Sequence, residues 1–451
     1  MTAGTADRAA SADRAMAGMS EAGVRVIALS WVDNAGIGRV KAVPLARLPR
    51  LAVHGVGMSP VFDTFLVDDS IVRADGHGGP VGDLLLLPDL DRLTPLAAQP
   101  GWAWAPADRY GQDGEPYPGC HRSFVNRMVQ AAAGLGLGLR MGFETEWSTG
   151  PGGLGGGPAY GLSRLADSGS YLLDIVDALT AQGVEVLQIH PEYEPGQFEV
   201  STAPEDPLGA ADTAVLVRHT VRTVSRAHGL RASFAPVPEP AGIGNGGHVH
   251  LSLWRGEENL MHGGTGPCGM TREGEAFLGG VLRSLPALTA VGCPSPASYL
   301  RLAPSAWAGA YRCWGRENRE AALRFVTGPA GEAAQRANAE LKCFDQAANP
   351  YLLVGSVIAA GLAGHEDAVH LPEQFADDPA RADPAELDRL GIDRLPAGLD
   401  AAIRHLRDSV VLRKAMGDHL FDALLAVREG EHRLFAGRSR TETVEATRRR
   451  Y

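Results

Sequence analysis

The chain has 451 residues, of which 45% are hydrophobic, so it is long enough to bury a sizeable core and to form two unequal domains. Its 42 Lys and Arg residues against 53 Asp and Glu residues give a net charge of −11, which argues against a nucleic-acid partner and against an anionic membrane surface. The sequence contains no apolar run of about 18 residues and no secretory signal core, so we expect a cytoplasmic protein without a membrane partner.

The first part of the chain predicts a small β-rich domain. Residues 1–20 are rich in Ala but broken by Asp and Arg, which predicts a mobile lead-in. Residues 24–33 are strand-like, a turn signal follows at Asn34-Ala35-Gly36, and residues 39–43 form a returning strand. We expect this hairpin to open a domain over residues 21–115 that ends before a polar, Gly- and Pro-rich stretch.

The remainder, residues 116–451, has the alternation of a larger α/β domain. Helical stretches at 122–135, 165–182 and 206–228 alternate with strand-like stretches at 139–147, 184–190 and 231–236. A glycine-rich run at 149–161 is not followed by Gly-Lys-Ser/Thr, so it predicts a flexible loop and not a phosphate-binding loop.

Two carboxylates lie side by side in the strand-like stretch LRMGFETEW, residues 139–147. Alternation places Glu144 and Glu146 on one face of the strand. Carboxylates so close raise each other's pKa unless a cation lies between them, and a divalent metal ion is the usual cation. The alternative is a half-buried strand with a hydrated acidic face.

A second acidic motif is HPEYEPGQFEV, residues 190–200. The turn signal Pro195-Gly196 joins two extended pieces and would bring Glu199 back beside Glu192. An acidic hairpin tip without a ligand is the alternative.

A third motif, GIGNGGHVHLSLW at residues 242–254, places His248, His250 and Ser252 on one strand face. The preceding glycines allow the backbone to approach a ligand closely. Two histidines on one face suit contact with a metal ion or a phosphate, whereas histidines satisfied by hydrogen bonds within the core are the alternative.

Cationic groups dominate a fourth region. Residues 299–325 contain arginines at 301, 312, 316, 319 and 324, and Glu340 and Lys342 follow on a shared strand face. Arginine forks bind carboxylates and phosphates through paired hydrogen bonds, although most arginines on a protein surface are merely solvated.

The order of these motifs resembles the glutamine synthetase superfamily, and in particular its branch of γ-glutamyl-amine ligases. The series runs E-x-E, H-x-E-x-x-P-G-Q-x-E, G-x-G-x-H-x-H-x-S-L, Y-x-R-L-x-P, R-x-x-x-x-R, E-x-K and A-N-P-Y-L. The segment VDNAGIGRVKAVP near residue 40 also resembles the opening hairpin of that family, so the likeness covers nearly the whole chain.

The resemblance implies an α+β fold, with a small β-grasp-like N-terminal domain and a large catalytic α/β domain that holds a curved antiparallel sheet. It also implies a homo-oligomer, as a double ring of six, in which active sites lie between subunits. The expected ligands are ATP, small acid and amine substrates, and two to three Mg²⁺ or Mn²⁺ ions.

The implied site residues match the motifs one by one. One metal ion would be held by Glu146, Glu192 and Glu199, and a second by Glu144, His248 and Glu340. Nucleotide contacts match His250, Ser252 and Arg324, whereas Arg319 matches the arginine that stabilises the transferring phosphoryl group. Glutamate-handling positions match Gly244, Arg301 and Lys342. Asp63 matches the aspartate that a neighbouring subunit's small domain contributes to the amine site.

The implied reaction has two steps, in which a γ-carboxylate attacks ATP to give an acyl phosphate and an amine then displaces the phosphate. Departures from the family pattern concern the substrate. Trp307 stands where glutamine synthetases have a flap glutamate that binds ammonium, so we expect a larger amine there, with a cation–π contact. Lys342 replaces an arginine that grips the α-carboxylate of glutamate, and Ile243 replaces an asparagine of the glutamate-binding motif. The identity of the acid substrate therefore stays open. Packing of Trp307 against Tyr311 or Trp314 is the structural alternative.

Three functions follow from this pattern. The first is an ATP-dependent ligase that joins glutamate to a polyamine, ethanolamine, or an alkyl or aromatic amine. The second is an ordinary glutamine synthetase that uses ammonia. The third is a catalytically silent scaffold that keeps the fold, which the intact set of matched metal ligands argues against.

Overall fold

The computed structural model describes residues 3–150 and 154–451, which form an α+β fold with two β-sheets and flanking helices. The strands are β1 Val26–Val32, β2 Gly38–Pro44, β3 Val56–Met58, β4 Leu84–Pro88, β5 Thr94–Pro95, β6 Trp102–Tyr110, β7 Gly138–Ser148, β8 Val186–Pro191, β9 Gln197–Thr202, β10 Val249–Arg255, β11 Glu258–Asn259, β12 Tyr311–Arg316, β13 Ala321–Val326 and β14 Asn338–Leu341. The α-helices are α1 Ala3–Glu21, α2 Leu48–His54, α3 His121–Gly134, α4 Leu162–Ala181, α5 Pro207–Ala227, α6 Arg272–Gly292, α7 Ser298–Arg301, α8 Ala333–Arg336, α9 Pro350–Glu366, α10 Pro384–Leu390, α11 Leu399–Arg407, α12 Val410–Met416, α13 Asp418–Leu434 and α14 Arg440–Thr447.

The smaller sheet contains the predicted N-terminal hairpin. Its order is β2-β1-β6-β4-β3, with β5 beside β6. Strands β1 and β2 pair antiparallel, as the turn at Asn34-Ala35-Gly36 predicts, whereas β1 and β6 pair parallel. All of these strands lie between residues 26 and 110, which agrees with the predicted range of a small domain, although the boundary itself stays a prediction.

The prediction of a mobile lead-in over residues 1–20 is wrong for the described residues, because they form helix α1. Ala12 is fully buried, and Ala15, Met16 and Met19 pack against the hydrophobic core of the smaller sheet. Arg8 donates hydrogen bonds to the carbonyl oxygens of Ala52 and Pro88, at 2.6 and 3.0 Å. The alanines that suggested low complexity also have the highest helix propensity, and the small side chains allow close packing.

The larger sheet carries the predicted metal-binding motifs on neighbouring strands. Its order is β12-β13-β14-β10-β7-β9-β8, with β11 beside β10. The pairs from β13 to β8 are antiparallel, as expected from the resemblance, but β12 and β13 pair parallel, so the sheet is mixed at one edge. Strand β10 lies at its centre, and β7 lies beside it, between β10 and β9.

The predicted helices at 122–135, 165–182 and 206–228 are confirmed as α3, α4 and α5, within a few residues at each end. The strand predicted at 231–236 is wrong, because only a single bridge joins Ser148 and Ser233 there. The side-chain amide of Asn245 donates hydrogen bonds to the carbonyl oxygens of Ser233 and Ala235, and the backbone N–H of Phe234 donates to the carbonyl of Tyr451. These partners replace a strand ladder.

Two long helices, α6 and α9, pack against each other in the main hydrophobic core. Part of the predicted glycine-rich loop, residues 151–153, lies outside the described residues, and its described remainder up to residue 161 holds neither strand nor helix. Within residues 3–150 and 154–451, no helix is both long and apolar enough to cross a membrane.

Candidate active site

The six predicted metal ligands converge on one face of the larger sheet. Strand register places Glu146 directly opposite Glu199 and His250 opposite Glu340. The backbone N–H of Glu144 donates to the carbonyl of His248, at 3.1 Å, which ties β7 to the start of β10. The convergence therefore follows from strand pairing and from the alternation that the sequence predicted.

Three overlapping groups of side chains in the described residues could each hold a metal ion, with ligand atoms within 4.8 Å of one another. The groups are Glu144 with Glu199 and His248, Glu144 with His250 and Glu340, and His190 with Glu192 and Glu199. This arrangement differs from the predicted division into two sets. Glu144 and Glu199 each belong to two groups, and His190 and His250 join the predicted ligands.

His248 lies close to three of the other predicted ligands. Its Nδ1 atom lies 2.8 Å from Glu144 Oε2 and 3.4 Å from Glu340 Oε1, whereas its Nε2 atom lies 3.9 Å from Glu146 Oε1. Glu146 belongs to none of the three groups; its Oε2 atom accepts hydrogen bonds from the backbone N–H of Gly246 and from Gln197, at 2.7 and 3.1 Å. The predicted role of Glu146 as a ligand therefore stays a prediction.

Two observations show that the cluster fits a divalent cation. The buried Nε2 atom of His250 makes no hydrogen bond in the described chain, although it lies 3.2 Å from Glu144 Oε1. Gly246 leaves open the space where a Cβ would lie 2.6 Å from both Glu146 Oε1 and His248 Nε2. Carboxylate oxygens with one or two imidazole nitrogens are ligands that suit Mg²⁺ or Mn²⁺.

Burial and neighbouring charges shift the pKa values of carboxylates and of a histidine in the cluster. Burial is the main cause that raises the pKa of Glu192 to about 7, and the charge of Glu146 adds to it. Burial also opposes ionisation of Glu340, but the nearby charges of Lys342 and His248 lower the pKa of that carboxyl to about 2. Burial would lower the pKa of His250, but its contact with Glu144 raises it to about 9. Such opposed shifts are typical of functional sites.

Guanidinium and ammonium groups border the cluster as predicted. Arg301 is buried, and its guanidinium lies 3.4 Å from His248 Nε2 and donates to the carbonyl of Lys342 at 3.2 Å. Lys342 Nζ and Arg324 both pair with the Glu340 carboxylate, each at 2.9 Å. In this geometry Lys342 contacts a predicted metal ligand, so its predicted grip on an α-carboxylate would require it to leave Glu340.

The remaining predicted site residues are Gly244, Ser252 and Arg319. Gly244 lies against Arg301, because a Cβ there would be 2.5 Å from Arg301 Cγ. Ser252 is buried and accepts a hydrogen bond from the indole of Trp254 at 2.8 Å. Arg319 is exposed, with no ion-pair partner among the residues described. The nucleotide roles of Ser252 and Arg319 stay predictions.

Trp307 lies in the segment 303–310 between α7 and β12, which we call the flap. Its side chain is 61% exposed, which argues against the alternative of packing on Tyr311 or Trp314. Its backbone has a φ of 53°, a left-handed conformation that is uncommon for a bulky residue, and its N–H donates to Glu320 Oε1 at 2.9 Å. The indole therefore faces solvent, as a group that contacts a larger amine would.

Asp63, which is predicted to serve the amine site of a neighbouring subunit, lies in a short 3-10 helix at residues Pro60–Thr64. Its side chain is buried within the smaller domain, where it pairs with Arg109 and accepts a hydrogen bond from the hydroxyl of Tyr117 at 2.6 Å. These contacts fix the Asp63 carboxylate in place. Its role at the amine site of a neighbouring subunit stays a prediction.

Several residues of the site escaped sequence reasoning. Gln197 donates to Glu146, and Gln346 donates to the carbonyl of Glu144 at 3.0 Å. His190 could have been found, because alternation in the extended stretch 190–192 places it on the same face as Glu192. Glu320 could not, because its role depends on the distant flap, whereas Gly246 is one of the glycines that the third motif indicated.

The chain was compared with known proteins. A family model described as the glutamine synthetase catalytic domain matches residues 155–448. A gamma-glutamylpolyamine synthetase of Streptomyces coelicolor is 56% identical over 418 residues, which cover 91% of this chain and 90% of that protein. A glutamine synthetase of Staphylococcus aureus strain MW2 is 29% identical over 430 residues, which cover 90% of this chain and 91% of that protein.

Two solved structures are similar over almost their whole length. A structure described as a novel glutamine synthase homolog has a TM-score of 0.86 and 34% identity, and the match covers 95% of this chain and 99% of that one. A complex of GmaS with ADP has a TM-score of 0.82 and 28% identity, with 94% of this chain and 96% of that chain covered.

Proposed function

The chain belongs to the glutamine synthetase family, and we propose that it is an ATP-dependent ligase that joins the γ-carboxylate of glutamate to a polyamine. The prediction of a γ-glutamyl-amine ligase agrees with the 56% identity to the gamma-glutamylpolyamine synthetase, which far exceeds the 29% identity to a glutamine synthetase. The predicted α+β fold is confirmed by the two structural matches.

The observation that carries the proposal is the acidic cluster bordered by Arg301, Lys342 and Arg324 on one sheet face. The chemistry requires that two anions, a carboxylate and a triphosphate, meet without repelling each other. Two or three Mg²⁺ or Mn²⁺ ions held by the cluster would neutralise phosphate charge and stabilise the charge of the transferring group. The cationic side chains supply the rest of the compensation, as fixed groups that need not reorganise.

The proposed reaction has two steps, a phosphoryl transfer and a displacement of phosphate by the amine. A γ-carboxylate oxygen of glutamate bonds to the terminal phosphorus of ATP, the bond to the bridging oxygen breaks, and ADP leaves. The lone pair of the amine nitrogen then attacks the acyl carbon, the bond from that carbon to the phosphate oxygen breaks, and inorganic phosphate leaves with the electron pair. The ammonium substrate releases one proton to the solvent overall. Arg319 and Arg324 are the side chains that we assign to the phosphates.

The flap supports an organic amine over ammonia. In the family pattern a glutamate binds ammonium at the position of Trp307, and an indole there supplies no carboxylate. An exposed aromatic face instead offers contact area to methylene groups and a π-face to an ammonium group. We therefore assign Trp307 to the amine side of the site, and Gly244, Arg301 and Lys342 to the acid side.

We also propose that the chain assembles into the double ring of six subunits that the resemblance implies, in the cytoplasm. The proposal is supported by the match over nearly full length to family members. In that ring we assign Asp63, whose carboxylate pairs with Arg109, to the amine site of the neighbouring subunit.

A panel of amines tests the function. The purified full-length protein is incubated with ATP, Mg²⁺ or Mn²⁺ and glutamate, and phosphate release is measured with a polyamine, a diamine, an alkyl monoamine, ethanolamine and ammonia. We expect the highest kcat/KM with the polyamine or diamine, and a γ-glutamyl amide of matching mass. Release that is as fast with ammonia would favour an ordinary glutamine synthetase, and no release with any amine would favour a silent scaffold.

A further inference from the structure

Beneath the flap lies a carboxylate that has no cationic partner. Glu320 is only 9% exposed, and it accepts one hydrogen bond from the backbone N–H of Trp307. Among the described residues no lysine, arginine or histidine forms an ion pair with it. A buried carboxylate without a cation is costly unless a ligand supplies the charge.

Glu320 lies in the turn directly before β13. Within β13, Ala322 and Arg324 point to the same side of the larger sheet. Arg324 lies opposite Glu340, and the backbone N–H of Lys342 donates to the carbonyl of Ala322. Glu320 therefore lies at the start of the strand that carries Arg324, close enough to Lys342 for that charge to lower the pKa of its carboxyl.

The flap lies against the start of this strand. At the end of the flap, Gly309 lies so close to Lys342 that a Cβ would be 3.2 Å from Lys342 Cβ. Asp378 accepts a hydrogen bond from Ser305 of the flap at 2.6 Å, and its charge raises the pKa of Glu320 further, after burial as the main cause. Lys342 and Arg381 oppose this effect through their charges, and Arg381 lies 3.4 Å from Asp378, so that acid is already partly neutralised.

We propose that Glu320 binds the distal ammonium group of a diamine or polyamine substrate, the one that does not react, while the indole of Trp307 covers the methylene chain between the two nitrogens. This inference rests on the proposed function. It explains how a flap without its own carboxylate selects an amine with two charges: the nucleophilic nitrogen reaches the acyl phosphate at the cluster, and the second nitrogen pairs with Glu320.

The test compares two amines of equal chain length, 1,4-diaminobutane and butylamine, on the full-length protein. For Glu320→Gln we expect KM for the diamine to rise about tenfold or more, with kcat changed less than about threefold, because a buried ionic partner is lost. The kcat/KM for butylamine should stay within about twofold, since that substrate has no second ammonium. Glu320→Asp keeps the charge and should retain part of the preference.

Glu373→Gln is the matched control, because Glu373 is an exposed carboxylate that pairs with Arg389 at 3.7 Å. It should leave the kcat/KM for both amines unchanged.

Equal losses of kcat/KM for both amines in Glu320→Gln, or no change for either, would refute the role of Glu320. The proposed function would still stand if the wild-type protein is active with the diamine. If Glu320→Gln does not fold, an unaltered diamine preference in both Glu320→Asp and Trp307→Ala would refute the role of Glu320. A wild-type protein that uses neither amine would refute the function itself.

Discussion

Gly246 is the residue around which the ligand cluster closes. Its backbone N–H donates to Glu146, and the space beside its Cα is bordered by Glu146 Oε1, His248 Nε2 and a guanidinium nitrogen of Arg301. The residue's φ is not left-handed, so backbone strain does not explain the glycine. The glycine is explained by the three side chains that close around it, because a Cβ would collide with Glu146 and His248.

We predict that Gly246→Ala weakens Mn²⁺ binding about 10- to 100-fold and lowers ATP-dependent phosphate release at least as much, because a methyl group would displace Glu146 and His248. Isothermal titration with Mn²⁺ measures the first effect without relying on turnover. Gly134→Ala is the control, since a Cβ there meets nothing within 4 Å. Unchanged Mn²⁺ affinity in Gly246→Ala would show that the space is not part of the metal site.

At the scale of elements, the crossing of α6 and α9 depends on two glycines. A Cβ on Gly364 would collide with the carbonyl of Ala276 and the backbone of Gly280, and a Cβ on Gly280 would collide with the backbone of α9. The absent side chains let the helices approach backbone to backbone. This contact lies in the main core behind the sheet that holds the cluster.

Gly364→Ala should therefore destabilise the protein by about 2 kcal/mol, because overpacking outweighs the helix propensity that alanine gains. Differential scanning calorimetry should show a lower Tm. Gly169→Ala is the matched control, since Gly169 lies inside α4 with nothing within 4 Å of a Cβ, and we expect its Tm to be equal or higher. A Tm that falls equally in both variants would contradict the steric explanation.

Elements with a clear period were predictable, and features set by distant segments were not. Helices α3 to α5 and the hairpin that joins β8 to β9 follow from local patterns that tertiary packing reinforces. The segment 231–236 has strand-forming residues, but Asn245 and Tyr451 satisfy its backbone, and neither signal is local. The residue types of the metal cluster were predictable from motif order. Their division among ions stays a prediction, because it depends on side-chain geometry at Glu144 and Glu199, each of which belongs to two possible groups.

At the scale of the whole molecule, a buried carboxylate joins the C-terminal helices to the N-terminal region. Glu431 on α13 accepts a hydrogen bond from the backbone N–H of Val67 at 2.6 Å, and its other oxygen is buried without a partner in the described chain. Burial is the main cause that raises the pKa of Glu431 from 4.5 to about 7. The proton on this carboxyl therefore favours the folded state.

The sign of the pH dependence follows from this shift. Between about pH 4.5 and 7 the folded protein keeps a proton that the unfolded chain has lost, so stability falls as the pH rises, by about 3 kcal/mol in total. Above about pH 7 both states are ionised and no further loss occurs. Asp33 and Asp345, whose pKa values burial also raises to about 6, contribute dependence of the same sign.

Glu431→Gln isolates the contribution of this one group. The amide oxygen can still accept the hydrogen bond from Val67, but the side chain no longer ionises. Asp345 and the metal cluster titrate alike in both proteins and cancel in the difference, whereas the charge of Asp33 acts on Glu431, so the difference also contains their mutual repulsion. We expect the Tm of Glu431→Gln minus that of the wild type to increase between pH 5 and pH 8, and to level off above pH 8. A difference that stays constant across this range would mean that Glu431 is already ionised in the folded protein at pH 5, paired with a cation such as Arg428, whose charge lowers its pKa.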